Sequence, residues 1–254
     1  MHNDLFSIGP LTIHTYGVMV AVGLVAAFLS AAQRAKERSL NVDSLYSMGL
    51  LMALFGFLGA KLLYCIVEFP RLLQDPLSVL SGGGFVVYGG IIAGLIAALL
   101  YCRAKALPFL PYADIAAPSI ALAQGFGRLG CLFAGCCYGA PASGWLSITF
   151  QHSDIAPNGI PLVPTQILSS LGDFLIAFFL FWYAKNPRQN GSVAALYMLL
   201  YSVGRFAIEF FRADFRGSIG PLSTSQFIAI ILCAAAVCAL VLLRRAKRAP
   251  GPDA

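Results

Sequence analysis

The segment GRLGCLFAGCCYG, at residues 127–139, combines one arginine with three cysteines in an otherwise apolar stretch. Arg128 precedes Cys131, Cys136 and Cys137. A guanidinium stays charged in a low dielectric and donates hydrogen bonds in a planar fork that fits a phosphate. A thiolate is a good nucleophile, and a nearby cation is expected to lower the pKa of a thiol such as Cys131 or Cys136. The segment is therefore a candidate functional site.

Other charged residues also lie within apolar runs, at Lys61, Asp173, Arg205 and Glu209. Charge inside a membrane costs several kcal/mol per group, so each of these positions is a functional candidate. Tyr201, Arg205 and Glu209 follow one another at steps of four and share one face of a helix. Mutual neutralisation of Arg205 and Glu209 as a structural pair is an alternative to a functional role.

Two buried arginines, Arg128 and Arg205, suit a phosphate group. The phosphate that is available at that depth in a bilayer belongs to a phospholipid. The pattern therefore predicts phospholipid binding.

The composition indicates that these runs cross a membrane. The 254 residues are 59% hydrophobic and 11% charged, with a mean hydropathy of +0.79, whereas soluble domains carry about 25% charged residues. Apolar runs of spanning length, about 20 residues, are long and unbroken, which excludes a β-barrel. We expect an all-α integral membrane protein, a bundle of seven transmembrane helices in a single domain over 1–254. The expected spans are 11–33, 45–67, 84–103, 113–137, 164–184, 192–211 and 221–243.

Basic residues cluster at alternate connections between these spans, which predicts an amino terminus outside and a carboxyl terminus in the cytoplasm. The first run follows a segment without lysine or arginine and is expected to remain uncleaved. Outer loops are expected at about 68–83 and 138–163, with a basic cytoplasmic tail at 244–254. The net charge of +6 fits this asymmetry and contact with anionic lipid, so nucleic-acid binding is not expected.

The cysteines of the segment have three open roles: packing, a covalent or redox centre, or a metal site. Metal is the least favoured role, because Zn²⁺ requires four ligands and His152 is the only nearby candidate for the fourth. The remaining cysteines lie singly in apolar runs and are expected to be inert packing residues. They are Cys65, Cys102, Cys233 and Cys238.

Further short motifs follow one another along nearly the whole chain: PLTIHTYG (10–17), YGG (88–90), PTQ (164–166), YSVGRFAIEFFR (201–212) and LSTSQ (222–226). Together with the cysteine segment, this ordered set resembles the bacterial prolipoprotein diacylglyceryl transferase family. The resemblance implies a multi-pass enzyme of the bacterial inner membrane. Such an enzyme transfers diacylglyceryl from phosphatidylglycerol to a cysteine thiol of a lipoprotein precursor, forming a thioether and releasing glycerol phosphate. No cofactor is expected.

The resemblance also implies roles for individual residues. Arg128 and Arg205 would hold the phosphate and its developing charge, and Tyr201 and Glu209 would support Arg205. The motif positions make five more residues candidates for substrate binding: His14, Tyr16, Gly89, Gly90 and Gln166.

The chain departs from the family pattern at positions that carry chemistry. Tyr88 stands where the family has a histidine, and Cys131, Ala134 and Cys136 replace two asparagines and a glutamate. Tyr88, Cys131 and Cys136 are kept as candidate catalytic residues.

The departures leave the catalytic base open. An attacking thiol has a reference pKa of about 8.5 and must lose its proton, and a tyrosine near pKa 10 is a poor base at neutral pH. Glu209, His14 and Asp173 remain alternatives for this role.

Two other functions are open. One is a paralogue that uses Cys131, Cys136 or Cys137 as a nucleophile or redox centre to modify another acceptor. The other is a lipid or small-solute transporter, against which stands the lack of inverted repeats in the sequence.

Overall fold

The computed structural model describes residues 4–8, 11–144, 146–214 and 217–248, and most of these residues are helical. Residues 249–254 of the predicted basic tail lie outside this part of the chain, as does Pro10 of the PLTIHTYG motif. The long helices are α1 (Thr15–Glu37), α2 (Val42–Val67), α5 (Val87–Ala104), α6 (Phe109–Ala134), α7 (Thr165–Tyr183), α8 (Ser192–Glu209) and α9 (Thr224–Arg248).

Six segments of the described chain are long and apolar enough to cross a membrane: Thr15–Glu37, Val42–Val67, Val87–Ala104, Thr165–Tyr183, Ser192–Glu209 and Thr224–Ala246. The expectation of an all-α, multi-pass membrane protein is confirmed. The predicted span 113–137 corresponds to α6, which has 26 residues, as many as α2. It carries Asp114, Gln124 and Arg128 and is not among these six segments.

Local structure differs from the sequence expectation at the start of the first run. Residues 11–14 form the strand β2 (Leu11–His14), which pairs antiparallel with β1 (Asp4–Ile8). Helix α1 therefore begins four residues later than the start of the expected span.

The predicted loop at 68–83 contains two short helices, α3 (Phe69–Gln74) and α4 (Pro76–Ser81). Each has a proline in its first turn, where the missing N–H costs no helical hydrogen bond. The Asp75 carboxylate accepts a hydrogen bond from the Ser78 N–H and so caps α4.

The predicted loop at 138–163 folds onto the end of α6. Its strands β3 (Ile148–Thr149) and β4 (Pro161–Leu162) pair antiparallel. Phe150, Ala156 and Leu162 from this loop form a buried cluster with Leu132 of α6. The strands β5 (Ser218–Ile219) and β6 (Leu222–Ser223) form a similar short pair before α9.

The chain divides into two compact units, one of Met1–Ala31 and Ala113–Ala254 and one of Ala32–Tyr112. In the first unit, α6, α7 and α8 share a core of Ala117, Leu180, Ala184 and Val193. The fully buried Asp114 of α6 accepts hydrogen bonds from the Gly191 N–H (2.7 Å) and the Ala194 N–H (2.8 Å). This carboxylate therefore caps the start of α8 and ties it to α6.

The second unit is built on the packing of α2 against α5. Gly89 and Gly90 of α5 lie against the backbone of Gly59 and Gly56, and a Cβ at either position of α5 would collide with a carbonyl oxygen of α2. Small residues allow helices in a membrane to approach this closely. The Lys61 ammonium donates a hydrogen bond to the carbonyl oxygen of Gly82 at 2.7 Å. This bond fixes the glycine-rich segment 82–84 before α5.

Candidate active site

A cavity of about 190 Å³ lies among α6, α7 and α8 in the first unit. Its polar lining includes Arg128, Asp173, Tyr201 and Arg205. The rest of the wall is mainly apolar or small: Leu168, Gly172, Ile176, Gly204, Ala207, Ile208 and Phe211. The cavity thus combines two guanidinium groups with a mainly apolar wall. This combination suits a ligand with an anionic headgroup and apolar chains.

Arg128 projects from α6, which continues without a break through Gly127 and Gly130. Its Nε lies 3.9 Å from Asp173 Oδ2, and its side chain is 21% exposed. Among the residues that the structure describes, Arg128 makes no hydrogen bond. Its N–H donors are therefore available to a ligand.

Arg205 is held more firmly. Its Nη2 donates to Ser225 Oγ of α9 (2.7 Å), and its Nη1 lies 2.6 Å from Glu209 Oε2 one turn later on α8. Arg205 and Glu209 therefore form an i,i+4 ion pair. This pairing leaves Arg205 in the cavity wall, so it coexists with a binding role.

Glu209 is shared between two arginines, because Arg212 Nε lies 3.7 Å from the same carboxylate oxygen. Arg212 also donates to both oxygens of Asp214, at 2.9 and 2.5 Å. Ser225 and Asp214 complete this network, and the sequence reasoning missed both. Ser225 lies in the LSTSQ motif, but a short motif carries no signal of a partner on another helix.

Tyr201 lines the cavity one turn before Arg205. Its ring stacks on that of Tyr197 with 5.9 Å between centroids. The Tyr197 hydroxyl donates to Gln124 Oε1 of α6 at 2.8 Å. Helix α8 therefore presents Tyr201 and Arg205 on one face, as the four-residue spacing predicts.

The three cysteines of the segment converge. Their Sγ atoms all lie within 4.8 Å of one another, and none of the three forms a disulfide. Helix α6 ends at Ala134 because Gly135 adopts the left-handed conformation (φ +70°), so Cys136 and Cys137 follow the helix rather than extend it. Hydrogen bonding to Cys131 and Cys137, together with burial, raises the pKa of the Cys136 thiol. The expectation of a lowered pKa is wrong for Cys136, because the thiols face one another.

Gln166 lies in the first turn of α7 and is buried. Its Nε2 donates to the carbonyl oxygen of Cys136 at 2.9 Å, and Thr165 Oγ1 donates to that of Cys137 at 2.7 Å. The PTQ motif therefore fixes the backbone of the cysteine segment. A contact of Gln166 with substrate stays a prediction.

The other predicted site residues are not part of the cavity lining. His14 is exposed at the end of β2, with its Nδ1 2.6 Å from Asp4 Oδ1. Tyr16 is 42% exposed at the start of α1 and interacts electrostatically with all three cysteines and Arg128. Tyr88, Gly89 and Gly90 belong to the first turn of α5 in the second unit.

Comparison with known proteins agrees with the motifs. The model of a family described as prolipoprotein diacylglyceryl transferase matches residues 3–242. A phosphatidylglycerol–prolipoprotein diacylglyceryl transferase of Clostridium tetani is 46% identical over 228 residues, which cover 89% of this chain and 91% of that protein. A second such transferase, from Clostridium perfringens, is 45% identical over 224 residues, 87% of this chain and 88% of that protein.

A more distant relative of the same name, from Staphylococcus haemolyticus, is 33% identical over 258 residues. The match covers 96% of this chain and 89% of that protein. The similarity therefore extends over nearly the full length of each relative, and the chain belongs to the prolipoprotein diacylglyceryl transferase family.

Proposed function

We propose that the protein transfers the diacylglyceryl group of phosphatidylglycerol to the cysteine thiol of a lipoprotein precursor. The relatives from Clostridium tetani and Clostridium perfringens carry the name of this reaction. The observation that carries the proposal is the cavity, which both Arg128 and Arg205 line and whose remaining wall is mainly apolar. The N–H donors of Arg128 are unused among the described residues.

The two arginines bind the phosphate of the lipid. Arg128 supplies N–H donors that no described residue occupies, while Ser225 and Glu209 keep Arg205 oriented towards the cavity. As the phosphate departs it gains negative charge, and preorganised donors in a site shielded from water stabilise that charge. The acyl chains extend beyond a cavity of about 190 Å³ into the bilayer.

The transfer forms one bond and breaks one. The thiol sulfur of the acceptor attacks the diacylglyceryl carbon that carries the phosphate oxygen. The carbon–sulfur bond forms, the carbon–oxygen bond breaks, and the electron pair leaves with glycerol phosphate. The acceptor thiol gives its proton to a base of the enzyme.

We assign the base to Asp173. Its Oδ2 is buried without a hydrogen-bond partner among the described residues, and the side chain lines the cavity. Glu209 is less suitable, because two arginine side chains already approach its carboxylate, at 2.6 and 3.7 Å. His14 is exposed, paired with Asp4 and absent from the cavity wall.

We also infer seven crossings of the bacterial inner membrane, with the amino terminus outside and the carboxyl terminus in the cytoplasm. The seventh crossing is α6, whose 26 residues exceed the roughly 20 that a bilayer requires. Asp114 and Arg128 do not argue against it, since Asp114 is fully buried against α8 and Arg128 faces the cavity.

The reaction is tested with purified protein in lipid, phosphatidylglycerol labelled in its diacylglyceryl group, and a peptide that carries the acceptor cysteine. Mass analysis is expected to find the label on the peptide thiol, and no label on a peptide with serine in its place. Label on Cys131, Cys136 or Cys137 of the enzyme would instead support the covalent alternative. Absence of label from both would contradict the proposed function.

A further inference from the structure

The geometry of Cys131, Cys136 and Cys137 resembles a ligand set more than a packing cluster. All three Sγ atoms lie within 4.8 Å of one another, and Cys136 and Cys137 Sγ are 3.8 Å apart. Three sulfurs around one metal ion, with bonds of about 2.3 Å, are separated by about 4 Å. The observed spacing therefore needs only a small adjustment to close around one ion.

Backbone conformation and hydrogen bonds hold the three thiols in this arrangement. After α6 ends, Gly135 and Cys137 both adopt left-handed conformations, with φ of +70° and +63°. The Cys136 N–H donates to the Cys131 carbonyl oxygen at 3.1 Å, which folds the segment back over the last turn of the helix. A left-handed cysteine costs about 1 kcal/mol or more, so packing alone gives no reason for it.

The first turn of α7 secures the other side of the segment. Thr165 and Gln166, each only 1% exposed, donate to the carbonyl oxygens of Cys137 and Cys136. These bonds fix the backbone on both sides of the Cys136–Cys137 peptide bond. A preorganised ligand set binds with less loss of conformational freedom than a flexible one.

The number and type of ligands select the ion. No fourth histidine, cysteine, aspartate or glutamate joins the three within the described residues, and His152 is outside the group. Soft thiolates bind both Cu(I) and Zn²⁺, but Zn²⁺ favours four ligands in a closed site, so a set of three thiolates favours Cu(I). Three thiolates around one monovalent ion carry a net negative charge, and Arg128, which interacts electrostatically with Cys131 and Cys137, offsets part of it.

We propose that Cys131, Cys136 and Cys137 form a binding site for one soft monovalent cation, Cu(I), in three-coordinate sulfur ligation. The site is separate from the transfer reaction, in which the acceptor peptide supplies the thiol. Copper binding is measured without any transfer reaction, so a failure of this proposal can be distinguished from a failure of the proposed function.

The test titrates the full-length protein in detergent with Cu(I), without oxygen and against a chromogenic Cu(I) chelator. The wild type is expected to take one Cu(I) per chain, and X-ray absorption is expected to show three sulfur neighbours. A variant with Cys131, Cys136 and Cys137 all changed to Ser should lose this copper. The matched control, with Cys65, Cys102, Cys233 and Cys238 all changed to Ala, should keep it.

A single substitution tests whether loss of copper reflects loss of a ligand or loss of the folded state. Cys136→Ser is expected to elute as a single species in size exclusion and to bind Cu(I) more weakly, with two sulfur neighbours. Retention of one tightly bound copper by the triple Ser variant would overturn the proposal. Zn²⁺ that displaces Cu(I) from the wild type at equal concentration would overturn the choice of ion, and a wild type that binds neither ion would overturn the site.

Discussion

Arg128 and Arg205 carry the same guanidinium group but are held in different ways. Arg205 is fixed by Ser225 and Glu209, whereas Arg128 has one carboxylate neighbour at 3.9 Å. Burying an arginine in a membrane costs free energy, and the cost is larger when its N–H donors have no partner. A ligand that accepts hydrogen bonds from those donors offsets this cost. At the scale of single residues, Arg128 is therefore the group whose replacement should affect catalysis most directly.

The change Arg128→Lys keeps the charge and removes the planar fork of donors. Loss of one donor to a developing oxyanion typically lowers turnover by about 100- to 1,000-fold, and we expect a decrease of this order in kcat with unchanged folding. The measurement is the rate of labelling of the acceptor peptide. The control is Arg188→Lys at an exposed position that contacts the Tyr183 ring. Full turnover by Arg128→Lys would exclude the bidentate role.

The assignment of Asp173 as base gives a second residue-scale prediction, on pH. The charged and titratable groups facing Asp173 are Arg128 from α6 and Tyr197, Tyr201 and Arg205 from α8. In Asp173→Asn the acceptor thiol must ionise in water, with a reference pKa of about 8.5. We expect low activity at neutral pH that rises about tenfold per pH unit until that pKa, whereas the wild type varies less.

The pH series separates a base from a merely structural carboxylate. Asp173→Glu retains a carboxylate and should recover a wild-type profile in shape, at reduced rate. If the pH–activity profile of Asp173→Asn had the same shape as that of the wild type and was only lower at every pH, Asp173 would not be the base.

At the scale of elements, the cavity exists because two helices expose glycine to it. Gly172 of α7 and Gly204 of α8 line the cavity, and a Cβ at either position would meet no protein atom within 4 Å. The space they leave is therefore available for substrate. A larger side chain there can enter the cavity without disturbing the backbone.

The change Gly204→Leu should block the site while preserving the fold. We expect kcat/KM to fall by about 100-fold or more, as for other displacements of a substrate by about 1 Å, with no loss of thermal stability. The same assay and a thermal unfolding curve measure the two effects. Ala235→Leu is the control, since Ala235 is an exposed residue of α9 outside the cavity lining. Equal activity of the two variants would show that substrate does not use the cavity.

At the scale of the whole molecule, the number of crossings decides where the termini lie. Six crossings would put both termini on one side, and seven would put them on opposite sides. Helix α6 makes the difference, because its 26 residues are long enough to span but it is not among the six described segments that are also apolar enough. The membrane orientation therefore depends on a helix whose polar residues are used inside the protein.

We expect a reporter fused after Ala254 to be active in the cytoplasm, because basic residues are retained on that side of the membrane. A reporter inserted after Gly144 should be active only outside, and it serves as the matched control. Enzyme and fluorescent reporters that require opposite compartments measure both positions. External activity of the fusion after Ala254 would contradict seven crossings with this orientation.

Hydropathy placed the helices correctly to within a few residues, because burial in lipid depends on each segment's own composition. The four-residue steps of Tyr201, Arg205 and Glu209 likewise established their shared face, since helix geometry is local. Ordered motifs indicated the family, which the comparisons confirm. These features need no information about which helices touch.

Contacts between distant residues were decided only by the tertiary structure. The Ser225 partner of Arg205, the use of Asp114 as a cap for α8, and the anchoring of Cys136 by Gln166 each join separate helices. The convergence of Cys131, Cys136 and Cys137 depends on left-handed turns after α6, and their mutual contact reversed the expected effect on the Cys136 pKa. Such pairings are set by how helices pack against one another, and a residue's type and spacing along one chain segment do not specify its partner on another.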